Sequence, residues 1–364
     1  MSSPGLIDKR SLRFIPYRDC SSIAFEGKWI HKDGHAIAME ESASLRMRLK
    51  NAGHLYALFS RHDWSGKVKV SVNGRESDCF DLYSSYYFQQ CVRLLAEERP
   101  RNVDIRVVIL GRNPHSRGSQ MVFNGILLPK EEATAPVEPD RPAVLQANQE
   151  TPAAPPQSFF DLQVHMVDRY VDSLTERGVP LEEEAIRRWA KYTMRFREAL
   201  VYAAPGCRIL DIGAGFLTVD FVKTVIAPLS SDYWAHDIDA RAIEHDRAIF
   251  AVCGLDPSHA RQGTNTDLTY PDSSFDLVFS SHCLEHSDDI ERTFSEIRRI
   301  LKPGGTLFFA VPIGYDSSLE HIYAMDVDGW RALACWSGFE VVNEHVGSIY
   351  AEGRHDLVIV ARKN

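Results

Sequence analysis

At 364 residues the chain is longer than one compact domain usually is, so two separate cores are expected. A hydrophobic fraction of 44% beside 25% charged residues excludes a disordered or fibrous chain, and no window approaches the roughly 20 apolar residues that span a bilayer. The net charge of -9 hides an asymmetry: residues 1–130 carry 20 Lys and Arg against 13 Asp and Glu, or +7, which leaves 21 against 37, or -16, for the remainder.

In chain order, Met1 to Arg10 lacks the apolar stretch of a secretory signal, and a cytoplasmic protein is expected. Ser22 to Pro129 reads as β-structure, because short alternating runs recur with turn signals between them. Lys67 to Gly74 alternates polar and apolar residues and ends in Asn-Gly, a strong hairpin signal. Similar runs are Ser42–Leu49, His54–Ser60, Asp78–Tyr83, Asn102–Leu110 and Gln120–Leu128. Roughly eight strands in this length predict an all-β sandwich, jelly-roll-like, over residues 1–130. Its basic residues are scattered among strands, which argues against nucleic acid as a partner. They leave an anionic membrane or an acidic glycan as a peripheral partner, or a plain surface bias.

Residues 131–157 turn to Ala, Pro, Glu and Gln, a composition that buries too little apolar surface to order itself and reads as a linker. Residues 158–205 read as helix, broken near Gly178-Val-Pro180, and are expected to cap a cleft in the next domain. Beyond Gly206, strand and helix patterns alternate to the end, which predicts an α/β domain over 206–364 with a mainly parallel sheet and helices on both faces. The seven cysteines are spread along the chain without a Cys-x-x-Cys pair, which argues against disulfides and a zinc knuckle.

The chemistry is expected where Arg208-Ile-Leu-Asp-Ile-Gly-Ala-Gly-Phe-Leu-Thr218 runs from an apolar strand through a glycine turn into a helix. In such folds ligands sit at the carboxyl ends of the strands, and Gly213 and Gly215 would let the backbone approach one. A dinucleotide site wants a third glycine where Thr218 stands, and Asp211 would repel a pyrophosphate yet suit a cation. Asp237 ends the next strand, 22 residues after Gly215, where a carboxylate can accept both hydroxyls of a ribose. Asp239 reads as the following helix's cap.

These segments resemble the class I, Rossmann-like S-adenosylmethionine-dependent methyltransferases, within them the large small-molecule group. Gly263 to Ser281 is similar to the family's adenine loop and fourth strand, Leu284-Glu-His286 and Ile297 to Gly305 to its next helix and turn, and Trp336 to Val342 to its final hairpin. The resemblance covers about Gly206 to Arg362. It implies S-adenosyl-L-methionine as cofactor, held by Asp211, Gly213, Ala214, Gly215, Asp237, Ile238, Thr264, Asn265 and Ser281. The family's third glycine is Leu217 here, and the acid that usually meets the adenine amino group is replaced at Thr264, beside Asn265.

The implied reaction is an in-line displacement at a sulfonium methyl, for which positioning supplies most of the rate and a base is optional. Candidate bases or acceptor contacts are His282, His286 and His321, the last with Glu320 and Tyr315 beside it. Asp288 and Asp289 read as helix caps, and no metal is expected. Trp29, Trp64, Tyr83, Tyr86 and Tyr87 give the first domain a weak similarity to carbohydrate-binding jelly rolls, so the leading expectation is O-methylation of a sugar in a polysaccharide or glycan precursor. The alternatives are methylation of a lipid, quinone or other small natural product, and a non-catalytic scaffold that keeps the fold.

Overall fold

A computed structural model describes residues 6–20, 22–32, 34–130, 181–228, 232–315, 321–347 and 355–364. The expected linker 131–157, the first part of the helical cap (158–180) and Glu320 lie outside the described residues.

The first domain is built of β1 (Leu12–Pro16), β2 (Ile23–Glu26), β3 (Trp29–Lys32), β4 (His35–Ala38), β5 (Ser44–Arg61), β6 (Gly66–Val72), β7 (Arg75–Asp81), β8 (Phe88–Arg112) and β9 (Met121–Pro129). Alternation does what period two requires: Val68 and Val70 of β6 enter the core while Lys67 and Lys69 stay partly in water. Asn73 and Gly74 close the β6–β7 hairpin with φ of 50° and 77°, the left-handed pair that a two-residue type I′ turn needs.

The expected strands Ser42–Leu49 and His54–Ser60 are one strand, β5, which bends through register shifts between Leu49 and His54 while β8 follows it. A bulge lets a long strand turn a corner without ending. All nine strands therefore form a single hydrogen-bonded sheet, order β3-β4-β9-β5-β8-β6-β7, with β1 on β9 and β2 on β5. The sheet wraps a core of residues such as Leu45, Met47, Leu55, Phe59, Ile105 and Phe123. All-β structure is observed, with the long strands β5 and β8 running through the middle of the pairing order.

The second domain contains α1 (Leu181–Leu200), β10 (Ile209–Ile212), β11 (Tyr233–Asp237), α2 (Ala240–Cys253), β12 (Ala260–Gln262), β13 (Phe275–Ser281), α3 (Ile290–Ile300), β14 (Leu301–Pro312), α4 (Val327–Trp336), β15 (Phe339–Gly347) and β16 (Asp356–Lys363). The sheet order is β12-β11-β10-β13-β14-β16-β15. The ladders from β12 to β14 are parallel, and β16 runs antiparallel to both its neighbours. The chain steps outward from β10 to β12 and then returns to β13 on the other side of β10. That reversal opens a crevice at the carboxyl ends of β10 and β13, where ligands of open α/β sheets bind. Asp239 and Asp289 cap α2 and α3, accepting from the Arg241 and Arg292 amides at 2.8 and 3.0 Å.

The two cores meet along the loop that follows β14. Phe88 of β8 packs into the core of the α/β domain. The Tyr315 amide donates to the Gln89 carbonyl at 2.7 Å, the Lys9 amide to Ile322 at 2.9 Å, and the Ala324 amide to Ile7 at 3.1 Å. The Gln90 amide adds a hydrogen bond to the Asp326 carboxylate. Gly314, at φ 84°, passes so close that a Cβ there would lie 2.2 Å from the Gln89 carbonyl oxygen. Gly314→Ala should therefore cost about 2 kcal/mol or more and speed hydrogen exchange at the Tyr315 and Ala324 amides. Exchange equal to that of the parent protein would show that the seam is not tight.

Candidate active site at the carboxyl ends of strands β10, β11 and β13

The glycine turn after β10 is tied to β11 by its backbone. The amides of Gly213 and Ala214 donate to the His236 carbonyl at 2.8 and 3.3 Å. The Gly215 amide donates to Asp237 Oδ2 at 2.9 Å, and Oδ1 of the same carboxylate accepts from Asp239 at 2.8 Å. Turn and carboxylate thus converge as the sequence implied. Both glycines are left-handed, at φ 78° and 63°. A Cβ on Gly215 would meet nothing within 4 Å, whereas one on Gly213 would lie 2.6 Å from Cys283 Sγ. Of the two expected approach points, then, Gly215 faces open space and Gly213 is covered by Cys283. Burial, with Asp237, Glu285 and Asp211 nearby, pushes the Cys283 thiol well up, so it is not a thiolate nucleophile.

Asp211, expected to suit a cationic ligand, reaches the crevice through no side-chain contact of its own. The side chain is fully buried beneath the turn, its Oδ2 accepting from the hydroxyls of Tyr192 and Tyr233 while Oδ1 has no hydrogen bond. Its influence on a ligand is electrostatic. Burial raises its pKa to about 7, against the two tyrosine hydrogen bonds that lower it. Asp246 of α2 accepts from the Leu217 amide at 2.8 Å, and burial with Asp237 and Asp211 nearby pushes it to about 8. Burial also raises Asp237. Three carboxylates that resist ionisation surround one glycine turn.

On the other side of the crevice, Gly263 lies against the His236 ring, where a Cβ would be 2.7 Å from Cε1. Burial draws His236 down to about 4, so the ring is neutral. Thr264 Oγ1 accepts from Thr266 at 3.2 Å, and Asn265 Oδ1 accepts from Ser287 and Thr293 at 3.4 and 3.3 Å. The Ile238 carbonyl is held by the Gln262 amide at 3.2 Å, and Ser281 ends β13 opposite Ala310.

The three candidate histidines gather around one residue not expected to matter, Glu285. It is buried on the turn Leu284–His286. His282 Nδ1 lies 3.4 Å from Glu285 Oε1 and His286 Nε2 3.9 Å, and the His286 and His321 rings are 4.9 Å apart. Burial would raise Glu285, yet the surrounding imidazoles hold it below the usual carboxylate range. His282 Nε2 lies 3.0 Å from Asp356 Oδ2, and Arg195 Nη2 approaches the same oxygen at 4.0 Å. Burial lowers the His282 pKa, but Asp356 and Glu285 outweigh it and carry the value to about 10. This environment favours the imidazolium form of His282, which has no lone pair for a proton. Glu285 could have been suspected from its place between His282 and His286. Asp356, Arg195 and Asp246 come from remote segments and had no local signal.

Residues 210–309 match the family described as a methyltransferase domain. Such domains use S-adenosylmethionine. The chain is 30% identical over 144 residues to the glycine/sarcosine/dimethylglycine N-methyltransferase of Actinopolyspora halophila, covering 38% of this chain and 24% of that protein. It is 30% identical over 167 residues to a ubiquinone/menaquinone biosynthesis C-methyltransferase of Vibrio cholerae, covering 41% of this chain and 62% of that protein. The chain thus spans less than two thirds of either relative. Among solved structures, the 1,6-didemethyltoxoflavin-N1-methyltransferase of Burkholderia thailandensis, bound to 1,6-didemethyltoxoflavin and S-adenosylhomocysteine, is 17% identical with a TM-score of 0.43, over 58% of this chain and 93% of that one.

A buried carboxyl whose folded pKa lies above its ordinary value contributes stability that is complete below the ordinary value and lost as pH rises through the folded one. For Asp211 that window runs from about 4 to about 7. Without cofactor, Asp211→Asn should therefore stabilise the protein by roughly 1 to 3 kcal/mol more at pH 8 than at pH 5, read from urea midpoints. An equal effect at both values would contradict the burial of this charge.

Proposed function

We propose that the protein is an S-adenosylmethionine-dependent methyltransferase that O-methylates a sugar hydroxyl of a polysaccharide or glycan precursor, with the β domain binding the acceptor. The observation that carries the transferase reading is the convergence of the Asp211, Asp237 and Asp246 carboxylates on a glycine turn that faces open space at Gly215. Buried carboxylates of this kind ionise more readily beside a cation and disfavour a phosphate. When bound, S-adenosylmethionine supplies an electrophilic methyl group on a sulfonium. In this reading Asp237 accepts from the ribose hydroxyls, Thr264 and Asn265 meet the adenine, and Asp211 and Asp246 act through space on the positive charge. Ala214, Ile238 and Ser281 line the pocket with backbone and small side chains.

The acceptor assignment rests on the seam. The loop after β14 holds Tyr315 and His321 at the catalytic end of the sheet, and the β domain pins that loop through Gln89, Gln90 and residues 7–9. On the β domain, Trp64 and Tyr87 are 46% and 44% exposed, wide enough for a sugar ring to stack. A bridge joins His62 to Tyr83, and Tyr86 lies 5.3 Å from His355, so this aromatic run leads from the β domain to the α/β domain. Trp29 is not part of it, being packed edge-on against Phe25 at 4.8 Å. Much of the domain's basic excess is engaged locally, as in Arg106 with Glu26 at 2.8 Å and Arg117 with Asp63 at 3.3 Å.

The test is transfer of labelled methyl from S-adenosylmethionine to oligosaccharides, quinols and small amines offered in parallel. Label should enter the oligosaccharide. Trp64→Ala and Tyr87→Ala should each raise KM for it about tenfold with kcat nearly unchanged, the loss of one stacking contact. Label in a quinol or an amine alone, the chemistry that the names of the two relatives suggest, would reject the sugar reading.

A further inference from the structure

We propose that Glu285, His286 and His321 form a site for one divalent transition-metal ion on the acceptor side of the cleft. One ligand atom from each residue lies within 4.8 Å of the other two. The second observation is Glu285 itself, 1% exposed with neither carboxylate oxygen making a hydrogen bond. His282 and His286 approach Oε1 at 3.4 and 3.9 Å, beyond close hydrogen-bond geometry, while Oε2 has no hydrogen-bond partner among the described residues, and a metal ion would supply a lone-pair partner for such a buried carboxylate.

The scaffold is prepared for such an ion. Glu285 and His286 are neighbours on one tight turn, and the segment carrying His321 is fastened to that turn by the Ile322 amide, which donates to the Glu285 carbonyl at 3.0 Å. Bonds of about 2.0 to 2.2 Å to nitrogen and oxygen need only side-chain rotation from the observed spacing. His282 stands behind the carboxylate, 3.4 Å from Glu285 Oε1 and 3.0 Å from Asp356 Oδ2, and orients it as outer partners orient metal-ligating groups.

Two imidazoles and one carboxylate favour zinc, iron, cobalt or manganese over magnesium and calcium, which prefer oxygen alone. Three protein ligands leave coordination positions open. Cys283, two residues before Glu285, covers Gly213, so the site adjoins the crevice where the glycine turn lies. An acceptor hydroxyl could occupy an open position and lose its proton to solvent water. Its oxygen would then bond to the methyl carbon as the carbon–sulfur bond breaks and the electron pair passes to sulfur. That role rests on the methyltransferase reading, whereas the metal site does not.

The test uses the full chain, stripped with a chelator and titrated with cobalt(II) while visible absorption is recorded. One equivalent should bind, zinc should displace it, and magnesium or calcium in large excess should not. His321→Ala and Glu285→Gln should each weaken binding by at least about tenfold, and the His286→Ala/His321→Ala pair should abolish the bands. Far-ultraviolet circular dichroism would confirm that each variant is folded, with Glu285→Gln as the near-isosteric control. No bands in the parent protein, or equal bands in the double variant, would overturn the site. Methyl transfer measured on the same samples separates the two claims. Cobalt binding without any transfer would reject the methyltransferase reading and leave the site. Transfer at an unchanged rate in stripped protein and in His321→Ala would reject the metal's part in the reaction.

Discussion

Negative charge held out of water at one turn of backbone is the constraint on which the α/β domain's site depends. Asp211, Asp237 and Asp246 come from β10, β11 and α2; burial is the main cause that raises all three, Asp237 adds to it at Asp211, and Asp237 and Asp211 add to it at Asp246. Such a group is tolerated because backbone amides and tyrosine hydroxyls satisfy part of it: Gly215 and Asp239 on Asp237, Leu217 on Asp246, Tyr192 and Tyr233 on Asp211. The remainder is an unmet electrostatic demand, visible in the unbonded Asp211 Oδ1 and Asp246 Oδ2. A cation near the turn would meet it, and the turn is open at Gly215.

The second cluster solves the same problem differently. Glu285 and Asp356 share His282, and Arg195 reaches Asp356 from α1. Because the histidine lies between two carboxylates, its charged form is favoured there. His286 and His321 stand on two segments joined through the Ile322 amide, and the second segment is held by the β domain. The carboxyl ends of the strands are therefore tied to the β domain through Tyr315, Ile322 and Ala324.

Much of this was legible in the sequence where a local pattern has one physical meaning. The Asn73-Gly74 turn, the apolar strand ending in Gly213 to Gly215, the Asp239 and Asp289 caps and the alternation of strand and helix after Gly206 all rest on contacts between near neighbours. What was not legible depends on distant segments meeting. The fusion of two expected strands into β5 follows from β8 pairing along its whole length. Asp211 reads as a ligand contact until Tyr192 and Tyr233 close over it. His282 reads as a base until Asp356, 74 residues later, is placed beside it.

The most direct test of the charged turn is calorimetry of S-adenosylmethionine binding near pH 7 in two buffers of different ionisation enthalpy. A sulfonium placed beside Asp211 and Asp246 stabilises their ionised forms, so binding should release protons, and affinity should rise as pH increases from about 6 to 8. Saturable binding with proton release, weakened strongly by Asp237→Ala, is the expected result. No heat at high micromolar cofactor, or binding with no proton exchange and no pH dependence, would contradict the account.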